Sequence, residues 1–447
     1  MKKINLKTSF SKNKKNIAKI SSGTMMGHII SLITLPILTR IYGAEIFGIW
    51  AFIYALSIII NSFSDLGMSN LIMIEKEEKL KKYYKVISTI SFIISTLFSL
   101  IVTVVYFIIF NDIALSPYVF YWILFFSAFL SQQVQICYTW LNRNQEYNAL
   151  MKNPVLNYSV YGISGIIFGY MGFIQYGFYI AHLLGSLITL IHMKKNLPRG
   201  LFVFNVKEVF KIIYSNKKFI FYQVPTNLTN NLKSQSPTLL IKVLWGPEIL
   251  GYYAITLRIL QMPIILIAKA IGRVFFQVVS DMHRQSKEIG AYVLKNIKRA
   301  MKLSIIPITL LIAFGDIIVI IFLGKEWEVS GNFVRILALQ YFFVFLQDSV
   351  QGLAITLNKQ KYTLIANTFQ ITGLIFSLIV GKYIFNSVYI SLLIMSSIFI
   401  LIQIVYFTYL FKVLNVPKMI YFSNILKNVC IILAFSTLFR CIYNYLS

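Results

Sequence analysis

The sequence predicts an all-α integral membrane protein, with about 12 transmembrane helices in two parallel-repeat six-helix halves. Three observations predict it. Stretches of roughly 20 apolar residues, each long enough to cross a bilayer as a helix, recur along the chain. The segments that link them alternate between basic and nearly uncharged. Two short motifs recur in the same order in both halves.

The expected spans are 17–40, 47–69, 86–110, 117–141, 154–171 and 173–192. A basic link, 193–218, follows. Then come 219–244, 252–277, 302–322, 333–357, 362–384 and 388–411. A further candidate, 421–445, carries Lys427 and Arg440. It spans, half-inserts or lies on the surface, and so leaves the side of the C-terminus open. The domain organisation expected is therefore an N-terminal half (1–192), the link (193–218), a C-terminal half (219–412) and a tail (413–447). If the basic loops face the cytoplasm, the N-terminus does too, and the opposite loops hold a single cation, Lys325.

Composition points the same way. The chain of 447 residues is 57% hydrophobic and only 13% charged, with mean hydropathy +0.72. Soluble domains carry about 25% charged residues. A net charge of +27 suits nucleic acid, but here the cations crowd beside apolar spans. Topology selection and anionic headgroups account for them there, so no nucleic-acid partner is expected. Cys137, Cys430 and Cys441 fall in apolar segments and make no metal-ligand spacing. The basic segment 1–19 leads into an apolar run too long for a signal-peptide core, which reads as an uncleaved first span.

The repeat is carried by two pairs of motifs. Tyr42-Gly43-Ala44-Glu45-Ile46-Phe47-Gly48 joins spans 1 and 2, and Trp245-Gly246-Pro247-Glu248-Ile249-Leu250-Gly251 joins spans 7 and 8. Val134-Gln135 with Leu141-Asn142-Arg143 closes span 4, and Val350-Gln351 with Leu357-Asn358-Lys359 closes span 10. The second pair is offset further than the first. The basic loop 278–301, longer than its counterpart 70–85, is the place for the extra residues. Six spans separate the copies, so both keep one orientation.

No P-loop, nucleophile elbow, zinc motif or dinucleotide-binding glycine pattern is present, and paired carboxylates are absent from the spans. An enzyme is not expected, nor a cofactor or a catalytic metal. Charged residues inside spans are the better markers, since charge in a bilayer is costly and commonly faces a polar cavity. Span 8 holds Arg258, Lys269 and Arg273, span 7 Lys233 and Lys242, and span 10 Arg335. Arg258 and Lys269, eleven residues apart, fall within about 20° of one another on an α-helix. Such a basic wall suits an anionic group. The competing reading is snorkelling to headgroups, above all for Lys242, Arg273 and Arg335.

Polar residues add to the pattern. Gln340, Gln347 and Gln351 share a face of span 10 beside Asp348, and Gln132, Gln133 and Gln135 sit at corresponding depth in span 4. Amides suit sugar hydroxyls, or equally hydrogen bonds between spans. Asp65 ends span 2, and in the repeat register it falls at Ala268, beside Lys269. Asp65 and Asp348 are candidates for ion coupling or gating, and Asp65 is alternatively a helix-end residue. Asp316, near the end of span 9, is a weaker marker. Pro36, Pro225, Pro237 and Pro263 suggest bent or broken helices.

The two six-span halves, the basic N-terminus, the Gly-x-Glu-x-x-Gly turns at Gly43–Gly48 and Gly246–Gly251 and the Asp65-Leu66-Gly67 span end resemble the Wzx-type polysaccharide (O-antigen) flippases. Those flippases share a superfamily with the MATE drug exporters and the lipid II flippases. The resemblance covers 15–412. It implies an alternating-access transporter of the bacterial inner membrane, serving surface-polysaccharide (O-antigen, lipopolysaccharide) biosynthesis. It moves undecaprenyl-diphosphate-linked oligosaccharide from the cytoplasmic to the periplasmic leaflet. The expected partners are that lipid-linked sugar, membrane lipids and other polysaccharide-assembly membrane proteins. On that reading Arg258, Lys269, Lys233 and Arg273 meet the diphosphate, and Gln347, Gln351 and Gln135 meet sugar. A MATE-like exporter of small molecules and a polysaccharide polymerase or ligase are the alternatives. The first wants an acidic cavity, and the second a large external loop that this chain lacks.

Overall fold

The computed structural model describes residues 6–446 except 111 and 204. Every regular element among the described residues is helical. The chain forms two compact units, Met1–Leu239 and Leu240–Ser447.

The first unit contains α1 (Leu6–Ile41), α2 (Ala44–Ser64), a short α3 (Leu71–Ile74), α4 (Glu77–Ile109), α5 (Pro117–Arg143), α6 (Tyr147–Tyr170), α7 (Ile174–Met193), α8 (Val206–Ser215) and the start of α9 (Lys217–Pro263). Local chemistry sets their ends. Ser116 caps α5 by accepting from the Val119 N–H at 3.4 Å, with Pro117 in the first turn. Asn205 caps α8 through the Glu208 N–H. The α1 and α6 helices approach closely along a glycine seam. A Cβ on Gly23 or Gly27 would run into the backbone of Met151 or Pro154, and one on Gly162 into Thr34. Small residues bring helices together where lipid offers no hydrophobic driving force. At the end of this unit rich in basic residues, Leu71, Tyr84, Ile136, Trp140, Met193, Val209 and Ile212 form an apolar cluster. The link is tied down there by a Trp140 indole bond to the Asn196 carbonyl (3.1 Å) and a Lys82–Glu208 ion pair.

The second unit takes in the rest of α9, a π-helical turn (Ile264–Ala268), α10 (Lys269–Arg284), α11 (Gly290–Leu323), α12 (Glu328–Ser349), a short α13 (Leu353–Thr356), α14 (Gln360–Tyr383), α15 (Val388–Val413) and α16 (Lys418–Leu446). Two reciprocal bonds join α9 to α12. Thr256 donates to the Ser330 carbonyl (3.0 Å), and Ser330 to the Tyr252 carbonyl (3.0 Å).

Among the described residues eleven helical runs are long and apolar enough to cross a membrane, so this is a multi-pass membrane protein. The difference from the expected twelve has two causes. Spans 7 and 8 merge into one run, Lys217–Arg284, broken only by the non-helical backbone of Gly246 (φ 87°, ψ 176°) within α9. The α6 helix forms where span 5 was expected, but Lys152, Asn153 and Asn157 dilute its hydropathy and it is not among the eleven. The tail candidate is a continuous helix, α16, and is among them. The basic stretches 70–85 and 278–301 are largely helical rather than open loops. Lys79, Lys81, Lys82 and Lys85 ride on the first turns of α4, and Lys295, Lys298 and Arg299 on those of α11.

Candidate translocation site

The sequence-predicted residues separate into those the second unit gathers and those that find other work. The gathering point is where α10 crosses the end of α12. The α12 helix stops at Ser349, and the chain turns through Val350, Gln351 and Gly352 (φ 80°) before α13. Gly272 on α10 lies against this break, where a Cβ would overlap the Asp348 carbonyl and press on Gln351. One turn later Phe276 covers Gly352. Lys269 and Arg273 flank Gly272 at i and i+4, so they share one side of α10, and both are exposed. The Lys269 ammonium is the charge that acts on the Asp348 carboxylate. Lys269, Arg273, Asp348 and Gln351 are thus assembled by a close helix crossing and a helix break.

Arg258 is separated from this group by the π turn. Pro263 offers no N–H for the carbonyl one turn earlier, and the wider turn begins with the next residue. A π turn inserts about one residue, which rotates everything downstream by about 100°. The expectation that Arg258 and Lys269 share a face is therefore corrected, because that count assumed uninterrupted α-helix. Arg258 is half-buried and Lys269 exposed.

Other predicted residues are engaged elsewhere. The Gln347 Oε1 accepts from Gln403 Nε2 at 2.6 Å, joining α12 to α15. Lys242 is fully buried. Arg335 is not part of a basic wall. Its Nε donates to the Ile312 carbonyl (3.1 Å), and its Nη1 lies 3.4 Å from Asp316. Lys233 and Gln135 belong to the first unit, where Lys233 is half-buried and Gln135 exposed. Nearby, Asn231 binds the Ile58 carbonyl (3.1 Å) and Ser62 (2.9 Å) on α2. Asp65 is buried, and its two oxygens accept from the Gly67 N–H (2.9 Å) and the Ser69 N–H (3.1 Å). It holds the turn that ends α2, where Leu66 and Gly67 both take positive φ.

Sequence reasoning undervalued two features. Asp316 is the buried hub of a part-buried ion network. Arg440 of α16 binds both its oxygens (3.0 and 2.8 Å), and Arg335 touches one of them. An acid and two arginines in apolar segments far apart in the chain were the available signal. In the first unit, Ser88, Ser91, Ser95 and Ser99 line the buried side of α4 at helical spacing. Ser95 bonds Ser64 at 3.2 Å. The hydroxyls of Ser88, Ser91 and Ser99 and both amide atoms of Gln133 are buried with no partner.

Comparison with known proteins places this architecture. The fold is similar to that of the lipid II flippase MurJ in its inward closed conformation, with a TM-score of 0.69 and 14% identity, over 94% of this chain and 98% of that one. It is also similar to an inward-facing multidrug resistance MATE family transporter of the MOP superfamily, with a TM-score of 0.55 and 13% identity, over 89% and 95% of the two chains. No curated protein sequence matches. The profile of the family described as "Polysaccharide biosynthesis protein" matches residues 37–332. That match covers most of the chain and includes α2 through the start of α12, with the α10 face, so the chain belongs to the polysaccharide biosynthesis protein family.

Proposed function

We propose that this protein is a flippase. It carries an undecaprenyl-diphosphate-linked oligosaccharide, the repeat unit of an O-antigen or another surface polysaccharide, from the cytoplasmic to the periplasmic leaflet of the bacterial inner membrane. Its N-terminus is cytoplasmic. It makes and breaks no covalent bond. The observation that carries this reading is the Lys269–Arg273 face of the amphipathic α10, within the candidate span Lys217–Arg284 and beside Asp348 and the end of α12. Exposed cations within a membrane-spanning segment are costly unless they serve a polar path, and a diphosphate is the anion such a path would carry. Interrupted helices supply free backbone groups and bending points for alternating access.

In this mechanism Lys269 and Arg273 draw the diphosphate in. Arg258 extends the cationic path, while Gln351 offers hydrogen bonds to sugar hydroxyls. The polyprenyl tail stays in lipid. Asp348, whose carboxylate feels the Lys269 charge, is the coupling residue of choice. Asp65, whose oxygens already hold backbone N–H groups, keeps the turn rather than gating. Other polysaccharide-assembly membrane proteins receive the flipped product.

A MATE-like exporter of small cations shares the fold, but it would gain nothing from this cationic face. The test is a flipping assay in proteoliposomes with a fluorescent undecaprenyl-diphosphate oligosaccharide. The protein should move it across the bilayer. Export of a small cationic dye with no movement of the lipid-linked sugar would decide for the rival.

A further inference from the structure

The second unit holds a cavity of about 480 Å³ that the translocation reading does not use. Ile312 of α11, Asn332, Arg335 and Ile336 of α12, and Tyr389 of α15 line it. It lies toward the end of α12 nearest the Gly324 turn, inside the candidate span Lys325–Ser349.

Charge at this place does not balance. Asp316 is a single carboxylate serving two guanidinium groups. Arg440 takes both its oxygens at 3.0 and 2.8 Å and forms a closed pair. Arg335 reaches the same carboxylate only at 3.4 Å, and its Nε is spent on the Ile312 carbonyl. The cluster therefore keeps one positive charge over. Arg335, whose side chain is 32% exposed, carries it into the cavity. The acids of α12 itself do not offset it: Glu328 sits exposed in the first turn, two helical turns away, and Asp348 lies at the opposite end of the helix.

The remaining lining suits an anion with an apolar ester. Asn332 and Arg335 stand side by side on one face of α12, both able to donate. The Tyr389 ring is set edge-on against Phe333 at 5.4 Å, which fixes its direction. Ile312 and Ile336 supply apolar walls. We propose that this cavity binds a phosphate-ester anion through Arg335, Asn332 and Tyr389. The source its place in a membrane span favours is the headgroup of an anionic phospholipid.

The experiment titrates the full-length protein in neutral detergent, by native mass spectrometry, with phosphatidylglycerol, phosphatidylcholine, glycerol 3-phosphate and inorganic phosphate. One phosphatidylglycerol should bind about tenfold or more tighter than phosphatidylcholine, as expected for a charge-assisted contact. Arg335→Gln should abolish that preference, and Arg335→Lys should keep part of it. Because Arg335→Gln also alters the Asp316 cluster, Ile336→Trp serves as a second variant. It fills the cavity and leaves the ion pairs alone, and it should remove the site too. Arg335-dependent binding of glycerol 3-phosphate or phosphate, with no preference among lipids, would support the anion site and assign it a soluble source. Wild-type phosphatidylglycerol and phosphate binding in both Arg335→Gln and Ile336→Trp would overturn the proposal.

Discussion

The two units end a membrane helix in different ways, and at different places in the repeat. In the first unit α2 breaks at Asp65-Leu66-Gly67, and the Asp65 carboxylate closes the break onto its own backbone. There α5 runs on to Arg143, whose guanidinium accounts for two more carbonyls near the break, Ile72 (2.7 Å) and Glu75 (2.5 Å). In the second unit the counterpart of α2 continues through a π turn into α10, and the counterpart of α5, α12, is the helix that breaks. At that break the charges are left for other use. Lys269 and Arg273 are exposed, and the Lys269 charge acts on the Asp348 carboxylate. The first break is a finished structural joint, and the second is a site.

The strongest way to break this contrast is at Gly272. A side chain there would overlap the Asp348 carbonyl, so Gly272→Leu should separate α10 from α12. The expected loss is about 3 kcal/mol or more, the upper end of overpacking, read as early unfolding in mixed detergent and a lower membrane level. Normal unfolding would mean that the crossing is loose. Next come the two acids. Asp65→Ala leaves two buried N–H groups without acceptors and should cost about 2–3 kcal/mol. Asp348→Ala should change stability by less than about 1 kcal/mol, with its effect seen in transport instead. Equal destabilisation by both would erase the distinction between joint and site.

The equivalent turn glycines sharpen it further. Gly43 has ordinary extended backbone (φ −70°), whereas Gly246 sits at φ 87°, ψ 176°, and a Cβ would meet open space at either. Gly246→Ala should therefore cost about 1–2 kcal/mol through backbone strain alone, while Gly43→Ala should be neutral or slightly stabilising. Matching effects at the two positions would show that the turns are alike after all. The smallest effect belongs to Gln347, whose bond to Gln403 resembles other interhelical amide contacts. Gln347→Leu should cost about 0.6 kcal/mol with transport retained, and loss of transport at normal stability would return Gln347 to the path.

The fold was legible because a bilayer allows few solutions. Runs of some 20 apolar residues and sorted cations leave little but a helical bundle. The repeat was legible because its turn glycines recur. The site was only partly so. The face shared by Arg258 and Lys269 was counted on an ideal helix, and the π turn after Pro263 lies outside that count. Asp65 looked like a gate because an acid in an apolar run is costly. Its actual partners are N–H groups two and four residues on, and every sequence contains those. Asp316 looked weak because its partner Arg440 lies far along the chain, on a helix whose placement the sequence left open. Periodicity reports faces, not partners.

The central claim is that the α10 face in the second unit handles the diphosphate while the first unit's break is structural. Its most direct test is the flipping rate of the Lys269→Gln, Arg273→Gln double variant in proteoliposomes, at equal protein content and beside wild type. Both residues are exposed, so folding should be unaffected. The rate should fall by about tenfold or more, the loss expected when charge-assisted contacts to phosphate are removed. A wild-type rate in the double variant would show that the diphosphate takes another path, and would contradict the account.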